Sequence, residues 1–324
     1  MKPTSWLLLF GLSVATAVAR AAGVPGPVVS AAWLHDHLAE VTVVDVRDEP
    51  ETFTVAPTYE TDPKTGARAL TKVGGHIPGA RLVEFGKIRV DREINGKMIK
   101  AMLPDRGYFE NLMRAAGVSG SKPIVITMPG ETLDQVDMAT RLYWSLKYYG
   151  TDELAILDGG NAAWLAAGYE VSTDPPAAGG GDWSANAERK SLLAESADVS
   201  AALKSKKVQL VDARPLPQYL GLSKKPVVLA AGHIPGAKNL PTDVVTRAAG
   251  PAQHFLSAAD YRGVLNALGI KPGASTITYC NTGHLASGAW FVMSEILGNP
   301  HVKLYDGSMT EWTTEKQPVV AAIE

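Results

Sequence analysis

Cys280 is the one cysteine of the chain, and its neighbours give a thiol chemistry to do. The β-favouring run Thr276-Ile-Thr-Tyr279 ends at it. The loop residues Asn281, Thr282, Gly283, His284 and Leu285 follow. Ala286, Ala289, Trp290, Met293, Ile296 and Leu297 then recur at helical spacing. A strand that passes through a tight loop into a helix aims backbone N–H groups, and the positive end of the helix dipole, at one point. A thiol at that point is expected to be acidified and to act as a nucleophile. A lone cysteine is commonly a small buried hydrophobe, but a strand-to-helix loop is a poor place for a packing residue.

The rest of the chain must hold that loop in place. Its 324 residues suffice for two domains, and 46% hydrophobic content supplies their cores. A net charge of −2 gives no reason to expect a nucleic-acid partner or a polybasic membrane anchor. Residues 1–21 read as a secretory signal: Lys2, then the apolar run Trp6 to Val18, then the small-x-small site Ala19-Arg20-Ala21. The run is short for a membrane span. The expected location is therefore periplasmic or secreted, with no stable membrane insertion after cleavage. A single cysteine permits no internal disulfide, and an exported protein that keeps an unpaired thiol points to a thiol in use.

A pass along the chain finds one order of markers twice. The strand Val41 to Val46 runs into Asp45-Val-Arg47, Gly75-His-Ile-Pro-Gly-Ala80 follows, and the strand Ile124 to Thr127 leads through a loop to a helix of about 133–149. Strand Leu154 to Leu157 then ends in Asp158-Gly-Gly160. After the Pro- and Gly-rich stretch Asp174 to Gly181 the series returns as Asp212-Ala-Arg214, Gly232-His-Ile-Pro-Gly-Ala237, the strand into Cys280, and Asp306-Gly-Ser308. Two identical hexamers at the same rank mark an internal repeat. The expected fold class is α/β: two tandem domains at 28–170 and 191–320, joined by a linker at 171–190. Each is a mostly parallel sheet with helices on both faces. Ligands bind such sheets beyond the carboxyl ends of strands, where Cys280 stands.

These markers on this plan resemble the tandem-domain rhodanese sulfurtransferases, whose members include thiosulfate and 3-mercaptopyruvate sulfurtransferases. The resemblance covers nearly all of the chain beyond the signal. It implies a catalytic second domain and a degenerate first one, and Met128 stands where the first repeat would need its cysteine. It also implies that Cys280 takes a sulfane sulfur from a donor, holds it as a persulfide and passes it to a thiol or cyanide acceptor, without cofactor or metal. The loop Asn281–Ala286 would cradle the persulfide with backbone N–H groups. Gly283 is expected at a backbone angle that a side chain resists, and His284 is a candidate positive charge or proton shuttle. Asp45/Arg47, Asp212/Arg214, His76 and His233 occur in both copies and read as structural.

The pattern departs from these relatives at the charges. Asn281 and Thr282 stand where thiosulfate enzymes have basic residues, Gln218 takes the place of an arginine, and the mercaptopyruvate-type partners are absent near Lys87 and Ala101. The segment Lys87, Arg89, Arg92, Lys97, Lys100 is basic, and Lys87 and Arg89 are candidates to replace the missing loop charges at the donor site. A phosphatase of this fold needs an arginine six positions after the cysteine, and position 286 is alanine. A thiol–disulfide oxidoreductase needs a second cysteine. A metal centre needs clustered ligands, and the seven histidines are scattered. The expectation is a monomeric sulfurtransferase acting on small sulfur compounds. The alternative is a periplasmic sulfur carrier that loads once and delivers its persulfide to one partner.

Overall fold

Strand and helix order repeat as the markers do. The structure, a computed structural model, describes residues 23–177 and 179–323; the expected signal segment 1–21 lies outside the described residues. In the first half, strands β1 (Val28–Val29), β2 (Thr42–Arg47), β3 (Arg81–Glu84), β4 (Ile124–Thr127) and β5 (Leu154–Leu157) form a parallel sheet in the order β1-β5-β4-β2-β3. In the second half, β6 (Leu193–Ala194), β7 (Gln209–Asp212), β8 (Lys238–Asn239), β9 (Thr276–Tyr279) and β10 (Val302–Tyr305) repeat it as β6-β10-β9-β7-β8. Strands β4, β5 and β9 are buried along their whole length, which explains their unbroken apolar and β-branched composition, and β2, equally buried, carries Asp45 and Arg47 as a pair.

The helices are α1 (Ala31–His37), α2 (Arg106–Ala115), α3 (Leu133–Tyr148) and α4 (Gly160–Ala166), then α5 (Ser196–Ser205), α6 (Leu216–Tyr219), α7 (Ala258–Ala267), α8 (Leu285–Phe291) and α9 (Ser308–Thr314). Local chemistry sets their starts. Ser30 caps α1 by accepting Trp33 N, and Thr132 with Gln135 forms a capping box on α3. One boundary differs from expectation. The helix after the cysteine was expected to run to Leu297; α8 stops at Phe291, and Val292–Ile296 continues as a π turn.

The marker pairs are structural, as expected. Arg47 Nη2 lies 2.7 Å from Asp45 Oδ2 and Arg214 Nη2 lies 2.5 Å from Asp212 Oδ2, all four side chains without exposure. Each arginine also donates to the glycine carbonyl just before a Gly-His-Ile-Pro repeat histidine, Gly75 O and Gly232 O. His76 and His233 bond to the carbonyls of Phe53 and Tyr219 through Nδ1. The segment between the domains is laid on the first one: Ser172 and His76 exchange backbone bonds, and Trp183 is buried, its Nε1 donating to Thr151 Oγ1 at 3.0 Å.

The two halves share one apolar core. Leu142 and Trp144 of α3 join Ala289 and Trp290 of α8, with Met128 and Cys280 in the same cluster. Two hairpins cross the boundary in opposite directions. From the hairpin Val90–Ile94/Lys97–Met102, Lys97 Nζ reaches Thr314 O, and Leu103 N, just beyond it, donates to Asp306 Oδ2. From the hairpin Thr246–Ala249/Ala252–Phe255, Gln253 N donates to Gly130 O and Phe255 N to Asp158 Oδ1. Asp158 and Asp306 are the equivalent acids of the repeat, so each half anchors the other half's hairpin.

Candidate active site

Cys280 follows the last residue of β9 and is 1% exposed. The Asp306–Ser308 loop holds its turn from below. Ser308 Oγ accepts Cys280 N at 3.0 Å and Gly283 N at 3.2 Å, and donates to Tyr305 O. Met309 N and Thr310 N donate to Cys280 O and Asn281 O. The first copy repeats the pattern without the thiol: Asn161 N donates to Met128 O and Ala162 N to Pro129 O. Met128 is therefore the structural counterpart of Cys280, and a thioether forms no thiolate.

The expected acidified thiol is not what this environment produces. Burial pushes the Cys280 thiol up, backbone N–H groups of Ala286 and Thr282 draw it down, and Asp212 and Asp137 push it up again. Burial is the largest of these influences and sets the direction. The rate of Cys280 alkylation by iodoacetamide is expected to keep rising through and above the ordinary thiol range. A plateau reached below pH 7 would contradict this.

His284 also differs from expectation. It is buried, its ring centroid 4.6 Å from that of Phe85, and its Nδ1 is 3.7 Å from Asp134 Oδ1. Burial first, then Arg89 and Arg141, hold it well below its usual value. The ring is neutral and supplies no positive charge. A group whose folded pKa is depressed binds its proton in the unfolded chain first, so stability is complete above about pH 6.5 and is lost as pH falls below it. The urea midpoint is expected to drop over that range, and His284→Asn to flatten the drop; an identical slope in the variant would contradict the assignment.

Asn281 is buried and its Nδ2 donates to Gln218 Oε1 at 2.9 Å, so it fastens the cysteine loop to α6. Thr282 and Leu285 are the partly exposed members of the loop. Gly283 lies at φ 72, as expected.

The basic segment divides. Arg89 packs over the Phe85 ring at 4.1 Å. Burial and the nearby Arg141 lower its pKa to about 10, while Cys280, Asp306 and Asp134 oppose them, so it stands within the field of the thiol. Lys87 does not join it: its side chain is 54% exposed and pairs with Glu84 Oε1 at 2.7 Å. The expectation that Lys87 binds donor is corrected, because the 3₁₀ turn Phe85–Ile88 turns it to solvent. Lys100 pairs with Asp91 in the hairpin. Arg141 was missed by sequence reading. It lies on α3 with no exposure and reaches Gly283 O and Asp306 Oδ1. Its signal was a charge in the middle of a buried helix, which only partnership explains. Among the described residues, Nε of Arg89, Nε and Nη2 of Arg141, Nη1 of Arg214, Oδ1 of Asp137, Oδ1 of Asn281 and Nε2 of His284 are among the buried side-chain atoms without partners. The set mixes arginine donors with the acceptor oxygens of Asn281 and Asp137.

A cleft of about 930 Å³ between the halves is bounded by Leu103, Tyr148, Asp306 and Glu311; Cys280 is not in its wall.

Comparison with known proteins agrees with this geometry. The rhodanese-like domain profile matches residues 30–167 and again 195–315. The chain is 30% identical over 299 residues to the sulfur carrier protein TtuD of Thermus thermophilus, covering 89% of this chain and 94% of that one. It is 31% identical over 289 residues to a Haloferax volcanii protein provisionally named a thiosulfate sulfurtransferase, covering 88% and 92%. Among solved structures, Escherichia coli SseA, described as a 3-mercaptopyruvate sulfotransferase, superimposes with a TM-score of 0.68 at 25% identity over 87% of this chain and 98% of that one.

Proposed function

The chain belongs to the rhodanese-like domain family, and from that premise we propose that Cys280 carries sulfane sulfur from a small anionic donor to a thiol or cyanide acceptor. The protein is a rhodanese-type sulfurtransferase. The observation that carries the residue assignment is the duplicated turn, with a thiol in one copy and Met128 in the other.

Written for thiosulfate, the Cys280 thiolate attacks the outer sulfur. A Cys S–S bond forms, the donor's S–S bond breaks, and sulfite leaves with the electron pair. The acceptor thiolate or cyanide then attacks the outer sulfur of the persulfide and the Cys280 thiolate leaves. The scheme is ping-pong. The backbone N–H groups of Ala286 and Thr282 draw the thiol's pKa down and so favour the charged sulfur of both steps.

Arg89 supplies charge for the donor's anionic end. Charge reversal, Arg89→Glu, is expected to raise the thiosulfate KM at least about tenfold, the scale of one lost charge-assisted hydrogen bond. Lys87→Glu is expected to leave it unchanged. An unaltered KM in the Arg89 variant would remove the residue from the site.

The relative named as a sulfur carrier favours a second reading, single loading and delivery to a partner. Turnover separates the two: an enzyme converts thiosulfate and cyanide many times per thiol, and a carrier stalls after one. We further propose export through residues 1–21 and a monomeric state; the run Trp6 to Val18 supports the first. Among the described residues no helix is long and apolar enough to cross a membrane.

A further inference from the structure

Arg141 begins in the first domain and ends in the second. Its Nη1 donates to Gly283 O at 3.0 Å and to Asp306 Oδ1 at 2.5 Å. Asp306 also accepts Leu103 N through Oδ2 at 2.6 Å. Two residues beyond Asp306, Ser308 Oγ holds Cys280 N and Gly283 N. One guanidinium thus grips the cysteine turn at the Gly283 carbonyl and, through Asp306, the loop that supports the turn. Ser308 sits at φ 49, a left-handed conformation that a serine adopts only when its surroundings impose it.

The repeat supplies an internal comparison. Arg141 lies thirteen residues after Met128, and thirteen residues after Cys280 lies Met293. Both side chains are fully buried. The same offset from the turn therefore carries an apolar side chain, in the π turn after α8, in the copy with the thiol and a charge in the copy without one. Buried ion pairs are poor stabilisers compared with apolar packing of similar volume. A purely structural role gives no reason for the arginine to sit at this one of the two positions.

We infer that Arg141 is a positioning residue for sulfur transfer, through which the non-catalytic domain fixes the Cys280 turn. With Gly283 O and Asp306 both held, the peptide units of the turn cannot rotate, and the turn stays fixed around Cys280. The first domain is in this sense part of the active site. The inference rests on Cys280 as the sulfur-bearing residue.

The test uses the full chain with Arg141→Gln and Arg141→Lys. Cys280 alkylation by iodoacetamide is followed by mass against pH, and thiosulfate turnover is measured in parallel. The charges facing the sulfur from other elements, Arg89, Arg214, Asp212 and Asp137, are the same in every variant. Arg141→Gln is expected to lower kcat about a hundredfold, the scale of a displaced reacting group. Its donor KM should change less than about threefold, with the alkylation midpoint moved to higher pH. Arg141→Lys keeps a charge beside Asp306, which favours folding if the glutamine variant fails. One compact ammonium cannot replace the guanidinium fork, so kcat should still fall about tenfold. A folded variant of either kind with the parent's midpoint and kcat overturns the inference, as does a loss of melting temperature with an unmoved midpoint. A parent that never gains sulfur overturns the sulfur-transfer reading instead, and the alkylation midpoints still decide the role of Arg141.

Discussion

Cys280→Ser is expected to reduce sulfur transfer at least about a thousandfold while leaving the fold intact. Loss of a covalent nucleophile has an effect of this scale or larger, because both steps pass through it. No other residue can substitute, since the chain has no second cysteine and the equivalent turn offers Met128. The fold should survive because serine is close to cysteine in volume, and the backbone bonds of Cys280 N and Gly283 N to Ser308 are kept. The stability change is expected to stay within about 1.5 kcal/mol. Thiocyanate production from thiosulfate and cyanide, with a melting curve on the same sample, measures both. Retained transfer would overturn the mechanism, and an unfolded variant would assign Cys280 to the core instead.

Gly283→Ala is the substitution expected to hurt most without touching the sulfur. At φ 72 an L-residue with a Cβ is strained by roughly 1–2 kcal/mol. A Cβ there would also lie 2.5 Å from Arg141 Nη1, 2.6 Å from Asp306 Oδ1 and 2.9 Å from Asp306 O. Two of these groups are partners in a buried ion pair, so neither can step aside into water. Overpacking adds roughly 1–3 kcal/mol, for a total of about 2–5 kcal/mol. Relief must come from moving the cysteine turn or parting Arg141 from Asp306. Activity is therefore expected to fall about a hundredfold or more even where the variant remains folded. Urea unfolding and single-turnover sulfur loading test the two parts separately. A Gly283→Ala protein with parental stability and loading would contradict both the turn geometry and the clamp.

Much of the architecture was legible because it repeats. The strands Ile124–Thr127, Leu154–Leu157, Thr276–Tyr279 and Val302–Tyr305 were readable as short apolar runs, and buried parallel strands leave that signature. Asp45/Arg47 and Asp212/Arg214 were readable as structural because the copy without a thiol keeps them. The electrostatics of the site were not legible. Spacing placed Cys280 at a helix start but could not weigh that placement against complete burial. The same blindness made His284 look like a cation, although Phe85, Arg89 and Arg141 enclose it from the other domain. Lys87 and Arg89 are two residues apart and alike in charge, yet a single 3₁₀ turn separates one to solvent and the other onto the Phe85 ring. Arg141 is the clearest case. Its partners Gly283 and Asp306 lie 142 and 165 positions away, and no local pattern carries a contact of that separation.

The most direct test of the account is the intact mass of the purified protein after exposure to thiosulfate and removal of excess reagent. The account predicts a gain of one sulfur atom per chain, located on the peptide holding Cys280. The gain should be absent from Cys280→Ser and lost when cyanide or a thiol is added. A protein that turns over thiosulfate with no added sulfur on Cys280, or that gains the same mass in Cys280→Ser, would contradict it.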